Sequence, residues 1–289
     1  MEYRSLDSYL KETFGCKVYK LALAGGTTCP NRDGTKGVGG CSFCAGGSGD
    51  FAECEGSVSE QIERAKSRVA KKTQDDKYIA YFQSYTSTYG NVNEIRRKLE
   101  EAANADGIVA LSVATRPDCL GEEVISMLKE FTVRMPLFVE LGLQTCNDNI
   151  AMQFNRGYNT SEYFDAVKRL HAIGANVVTH VILGLPNETR EMMIDTVRRV
   201  GGVTDGIKLQ LLHVLKGTRL ADDYRQGKFR TLELDEYADL IADCLSVLPE
   251  NVVVHRLTGD APKKLLIAPL WSADKKRVLN TLNAKLRSR

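Results

Sequence analysis

Six short apolar runs punctuate the chain: Val18–Leu23, Tyr78–Gln83, Ile108–Val113, Leu137–Leu141, Asn176–Leu183 and Gly206–Leu212. Their length and their content of β-branched and aromatic residues predict strands. Most are separated by stretches with helical signals. Asn91-x-x-Glu94 reads as a capping box ahead of Val92, Ile95 and Leu99. Thr160 or Ser161 can cap a helix whose apolar face is Tyr163, Phe164, Val167 and Leu170, and Thr189 precedes Met193, Thr196, Val197 and Val200. A last long helix, about Leu232 to Leu248, carries Leu234, Tyr237, Ala238, Ile241, Leu245 and Leu248 on one face and stops at Pro249.

Strands alternating with helices need crossover connections, so the sheet is expected to be parallel and the fold class α/β. In such sheets the chemistry gathers on loops leaving the carboxyl ends of the strands. Those loops are rich here: GGTTCPNRDGTKGVGGCSFCAGGSGDF after the first run, then SYTSTYGN, ATRPD, QTCND, GLPNET and HVLKGT.

Composition narrows the picture. With 289 residues, 43% hydrophobic and 26% charged, the chain is one large domain, or one with an appendage. It has no apolar stretch of membrane-spanning length, and its opening MEYRSLDSYLKETFG is too polar for a signal peptide, so no membrane partner and a cytoplasmic location are expected. The net charge is only +2, yet residues 251–289 hold nine Lys or Arg against two acidic residues. Such a basic end points to a polyanionic partner or to a solvated helix face.

Eight cysteines occur, three of them, Cys29, Cys41 and Cys44, in one glycine-rich loop with the spacing C-x11-C-x2-C. The Cys-x-x-Cys pair can place two sulfurs on one metal or cluster, and the glycines let the backbone bring the third round. Three thiolates suit a four-iron cluster with one iron open. A structural zinc would require a fourth ligand, for which Cys54 is available. A redox pair of the thioredoxin type would open a helix rather than close a long loop.

These motifs, in this order, resemble the radical S-adenosylmethionine (SAM) enzymes. LGLQT at 141–145, NRGY at 155–158 and HVILGLPNET at 180–189 are similar to segments of oxygen-independent coproporphyrinogen dehydrogenase and of the Elongator catalytic subunit. GGTTCPNRDG, GSGDF, HVLKGT and HRLTGDAPKKLLIAPLWSADK resemble a bacterial Elongator-like group (the MnmL type) that converts carboxymethylaminomethyluridine to aminomethyluridine at tRNA wobble position 34. The resemblance implies a partial (β/α)6 radical SAM barrel over residues 1–230, with the cluster loop at 29–44. Residues 231–289 would then form a C-terminal helix and basic extension.

Its implied cofactors are one [4Fe-4S] cluster, held by Cys29, Cys41 and Cys44, and SAM, bound at the open iron and cleaved by one electron to a 5′-deoxyadenosyl radical. Phe43 and the turn Gly184, Leu185 and Pro186 would contact adenine, while Gln144 and Arg156 match residues holding the ribose and carboxylate of SAM. Two departures stand out. Gln83-Ser84-Tyr85-Thr86 replaces a glycine pair ending in Glu that binds the SAM amino group, leaving Gln83 and Thr86 as its candidates, and His180 stands where the family has an acidic ribose ligand. The implied partners are the tRNA anticodon loop and a one-electron reductant such as flavodoxin or ferredoxin.

For the RNA side, single-stranded loops are read by aromatic stacking and basic contacts. Tyr85 and Tyr89 are the stacking candidates, with Arg116, Asp118, His213 and Lys216 at or after strand ends and Arg256, Lys263 and Lys264 in the basic tail. Lys275, Lys276, Arg277, Lys285, Arg287 and Arg289 extend that footprint. Trp271 reads as a packing anchor. A small metabolite or another RNA is the competing substrate, and a zinc-stabilised, non-catalytic nucleic-acid-binding protein the competing class.

Overall fold

Residues two apart along a strand share a face, and this rule builds the molecule. The computed structural model describes residues 1–46, 52–73 and 75–289, so the GSGDF segment lies outside the described residues. The strands are β1 (Tyr19–Leu23), β2 (Tyr78–Phe82), β3 (Ile108–Thr115), β4 (Leu137–Gln144), β5 (Asn176–Leu183), β6 (Gly206–Leu211), β7 (Val214–Leu215), β8 (Val253–Arg256) and β9 (Leu266–Ala268). The helices are α1 (Leu6–Phe14), α2 (Val58–Val69), α3 (Val92–Ala103), α4 (Glu122–Thr132), α5 (Asp148–Gln153), α6 (Thr160–Ala172), α7 (Arg190–Gly201), α8 (Arg219–Arg225), α9 (Leu234–Ser246) and α10 (Lys275–Arg287).

All six expected strands form, in the order β1-β2-β3-β4-β5-β6, every pair parallel, as a curled half-barrel of the α/β class. A seventh parallel strand, β8, pairs with β6, so the sheet runs on into the basic C-terminal region. β9 pairs antiparallel with β7. Alternation divides β4 cleanly. Leu137, Val139, Leu141 and Leu143 join the main core beneath the helices, whereas Glu140, Gly142 and Gln144 line an internal cavity.

Helix α1 seats on the starts of the strands, where Leu10 packs with Ile79, Ala110, Phe138 and Val178. Asn91 caps α3 through its side chain, without the return bond from Glu94 that would close the expected box, and Thr189 caps α7. The cap of α6 is Asn159 rather than Thr160 or Ser161, because Asn159 and Glu162 form the reciprocal box one residue earlier. Trp271 anchors the C-terminal region, its Nε1 donating to Leu232 O (3.0 Å) and its ring packing on Tyr237. No helix among the described residues is long and apolar enough to cross a membrane.

Candidate active site

The inward strand faces and the strand-end loops enclose a cavity of about 560 Å³, and Cys29, Cys41 and Cys44 line it together. Their loop is shaped by its own backbone. Arg32 N donates to Cys29 O (2.8 Å), Gly40 N to Asn31 O (2.8 Å) and Cys44 N to Cys41 O (3.0 Å), while Gly39 and Gly40 take left-handed φ values of 79° and 78°. Buried Asn31 clasps the loop to the chain after α5. Its amide donates to Asn155 O (2.6 Å), and Asn155 Nδ2 donates back to Gly40 O (3.0 Å).

Burial pushes the Cys41 thiol up to about 11, with Cys44 and then Cys29 adding to the rise and Arg116 opposing it. A positive metal centre would offset that burial cost and favour the Cys41 thiolate. Among the described residues, no three Cys, His, Asp or Glu converge as ligands of a single ion, as a tetrahedral zinc would require. Cys54 is exposed and lies off the cavity. Cys29, Cys41 and Cys44, three soft donors on one cavity wall, would suit an iron–sulfur cluster.

Gln144 ends β4 where its register with β5 shifts, and it adopts φ 68°. That left-handed conformation costs about 1 kcal/mol or more in a residue other than glycine. It sets the side-chain amide on the cavity, with no hydrogen bond to it among the described residues. Gln83, Thr86 and Phe43 line the same space. Phe43 also borders a second cavity of about 130 Å³, and Leu185 and Pro186 line that one. Gly184 reaches neither. Its N–H meets Met193 Sδ (3.0 Å), and a Cβ there would press on Leu232 at 3.2 Å.

Arg156 requires a correction. It lines the cavity but is only 1% exposed, and all five of its N–H donors serve the chain: Tyr158 O (2.9 Å), Leu143 O (2.9 Å), Thr145 O (2.7 Å), Asp148 Oδ1 (2.7 Å) and Thr160 Oγ1 (3.1 Å). In this arrangement no donor is left for a carboxylate of SAM. His180 is likewise engaged, its Nε2 bonded to Glu140 Oε2 (2.7 Å). Burial pushes it down to about 4, with Lys208 adding and Glu140 opposing, so it is neutral near pH 7.

The substrate candidates divide. Tyr85 (φ 54°) is exposed on the cavity, and Arg116 and Arg256 line it. Arg116 is half committed, with a two-point grip on Asp118 (2.9 Å at each oxygen) and a bond to Arg156 O (3.0 Å). Asp118 does not reach the cavity, because Lys36 (2.8 Å) and Arg116 both hold it in the loop. Tyr89 lies outside as well, its hydroxyl on Thr35 Oγ1 (2.7 Å) of the cysteine loop. His213 bonds Ser272 (3.1 Å), and exposed Lys216 ties to Leu265 O through its backbone (2.8 Å). Lys263 and Lys264 are exposed and unpaired among the described residues. Part of the basic footprint is neutralised internally: Lys275 pairs with Asp260, Lys285 with Asp239, and Arg289 with Asp239 and Asp243.

Sequence reasoning missed the polar layer below the cysteines. Glu140, fully buried, holds Lys20 (2.7 Å), Lys208, His180 and the Ser112 hydroxyl (2.9 Å). The signal was present in the alternation of β4, since a Gln144 turned inward requires Glu140 to turn inward too.

Comparison with known proteins bears on this geometry. Residues 26–200 match the Radical SAM superfamily and residues 204–288 the Radical_SAM C-terminal domain. Protein YtqA of Bacillus subtilis (strain 168) is 44% identical over 99% of this chain and 90% of its own. The tRNA uridine(34) acetyltransferase of Methanocaldococcus infernus is 28% identical over 60% of this chain and 33% of its own. Among solved structures, M. infernus Elp3 with an N-terminal deletion superposes with a TM-score of 0.68 at 20% identity, covering 90% of this chain and 63% of that longer one.

Proposed function

Because the chain belongs to the radical SAM superfamily, we propose that it acts on wobble uridine 34 of tRNA, converting carboxymethylaminomethyluridine to aminomethyluridine. The family's cofactors, a [4Fe-4S] cluster and SAM, are those of this protein. Cys29, Cys41 and Cys44 would hold the cluster. When bound, this pair of cofactors would supply a 5′-deoxyadenosyl radical, fed by one electron from a reductant of the flavodoxin or ferredoxin type, to abstract hydrogen from the methylene between amine and carboxylate. Passing a second electron to an acceptor of that same type and adding water to the resulting imine would release the carboxymethyl unit as a two-carbon aldehyde acid.

The chain's own residues position the reagents. Gln144, with its amide unspent and its backbone strained toward the cavity, suits a ribose hydroxyl. Gln83 and Thr86 line the cysteine cavity and would serve the amino group of SAM, and Phe43, which borders both cavities, would offer a stacking surface for adenine. Tyr85 on the cavity mouth is the stacking residue for a base taken out of the anticodon loop. Lys263 and Lys264, with Lys276, Arg277 and Arg287, form no ion pairs among the described residues and would meet phosphates.

The observation that carries this reading is the convergence of three cysteines, an unspent amide, an exposed tyrosine and a cationic floor on one cavity. Relatives named for uridine-34 and Elongator activity support the RNA substrate. The test is anaerobic incubation of reconstituted protein with SAM, reductant and undermodified tRNA, followed by nucleoside mass spectrometry. Aminomethyluridine should accumulate as its carboxylated precursor is lost. SAM cleavage with no change in the nucleosides would remove the tRNA substrate.

A further inference from the structure

The floor of the cavity sets three basic side chains, Lys20, Lys208 and Arg256, against two carboxylates, Glu140 and Asp260. Lys20 of β1 and Lys208 of β6 both bond to Glu140, one on each oxygen. The Tyr81 ring lies beside them, 4.9 Å from Lys20 Nζ and 4.6 Å from Lys208 Nζ, and its hydroxyl accepts from Lys208 (3.0 Å). Arg256 joins from β8, paired with Asp260 (3.0 Å), which Lys275 shares (2.8 Å). Lys20, Lys208 and Arg256 all line the cavity with Glu140 and Asp260.

An ammonium has three N–H donors. Lys20 spends one on a hydrogen bond to Glu140, and Lys208 spends two, on Glu140 and Tyr81. Their remaining donors belong to side chains on the cavity wall. A buried cation with an incomplete partner set is costly in the empty protein. Burial pushes the Lys208 ammonium down to about 7, with Glu140 opposing the fall, so an anion arriving beside half-buried Lys20 and buried Lys208 would also hold the Lys208 proton in place. The level of this anion socket, below the cysteines, is where the far end of a substrate would rest.

Resting on the function proposed above, we propose that Lys20 and Lys208 receive the carboxylate of the substrate's carboxymethylamino group, with Glu140 as the positioning residue that fixes both ammoniums. The floor is then the specificity element. Substrate carries the carboxylate and product does not, so the reaction removes the group by which the nucleoside is held. SAM carries the other carboxylate that could occupy this socket, and the experiment separates the two.

The probes are two anticodon stem-loop RNAs, identical except for carboxymethylaminomethyluridine or aminomethyluridine at position 34. Each is titrated by fluorescence anisotropy against reconstituted holoenzyme: wild type, Lys20→Met, Lys208→Met and Lys20→Arg. The readout is the affinity ratio of the two RNAs within one protein, so a fraction of inactive protein cancels. Wild type should prefer the carboxylated RNA by about tenfold or more, the scale of a charge-assisted hydrogen bond. Each methionine variant should bring the ratio close to one, and Lys20→Arg should keep most of it.

A ratio near one in wild type, or one unchanged in both methionine variants, overturns the assignment. So does a loss of SAM affinity in the variants with the RNA ratio intact, which would give the socket to SAM. These failures are distinct from failure of the function itself. Wild type that leaves tRNA nucleosides unchanged sinks the tRNA reading and this assignment together. Wild type that converts them, with variants of unaltered ratio, sinks only the role of the lysines.

Discussion

Arg156→Met separates two roles for one guanidinium. The family resemblance gives Arg156 to the carboxylate of SAM, whereas the structure makes it a brace between the end of β4, the Asp148 turn and the start of α6. The substitution keeps most of the side-chain volume and deletes five hydrogen bonds and the stack over Tyr158 (4.7 Å). Asp148 is 47% exposed and regains water, and Leu143 O keeps the Thr145 N–H (2.9 Å). The cost therefore falls on the buried carbonyls of Thr145 and Tyr158, at about 1–3 kcal/mol each. With the lost cation–π contact the sum is about 3–7 kcal/mol, which includes the cost of removing one member of a buried charged network. Anaerobic urea unfolding of cluster-free protein measures it, beside SAM affinity of the reconstituted enzyme. A loss below about 1 kcal/mol, together with a SAM affinity at least tenfold weaker, would refute the brace and return the guanidinium to the cofactor.

Three other substitutions test the electrostatics, the cysteine loop and the basic surface. Burial pushes the Glu188 carboxyl up to about 7 from 4.5, against the Thr145 hydroxyl bond that lowers it. The folded chain thus holds a proton the unfolded chain has lost, and this contribution is full below pH 4.5 and disappears as the pH rises through 7. Glu188→Gln should remove that decline, so that the variant is the more stable protein at pH 8 by urea denaturation. A Cβ on Gly37 would lie 2.3 Å from Asn31 Oδ1, whereas one on Gly25 meets nothing nearer than 3.8 Å. Gly37→Ala should lose about 1–3 kcal/mol and bind less iron and sulfide per chain on reconstitution, with Gly25→Ala close to wild type in both. Lys263→Ala/Lys264→Ala should weaken tRNA binding at low salt and shallow the slope of log affinity against log salt by about 1–2.

The strand pattern was legible because apolar runs of parallel strands are hard to disguise, and all six runs became strands. The seventh was missed because Val252, Val253 and Val254 are a very short run inside a segment whose charge dominates its reading. The cysteines announced themselves by spacing. Arg156 did not, because nothing local shows that the carbonyls of Leu143, Thr145 and Tyr158 will surround it. Nor did Lys20 and Lys208, which read as ordinary charged residues at strand positions until the curl of the sheet brings β1 and β6 to either side of β4 through the barrel interior. Asn31 and Asn155, the clasp of the cysteine loop, are 124 residues apart and equally silent in sequence.

Helix α1, seated across the strand starts, turns the barrel into a vessel with a closed bottom. Were the RNA proposed as substrate to settle over the cysteine rim, it would stopper that vessel, and the reaction would then run in a fixed order: cofactor first, nucleic acid second, and spent methionine and deoxyadenosine last.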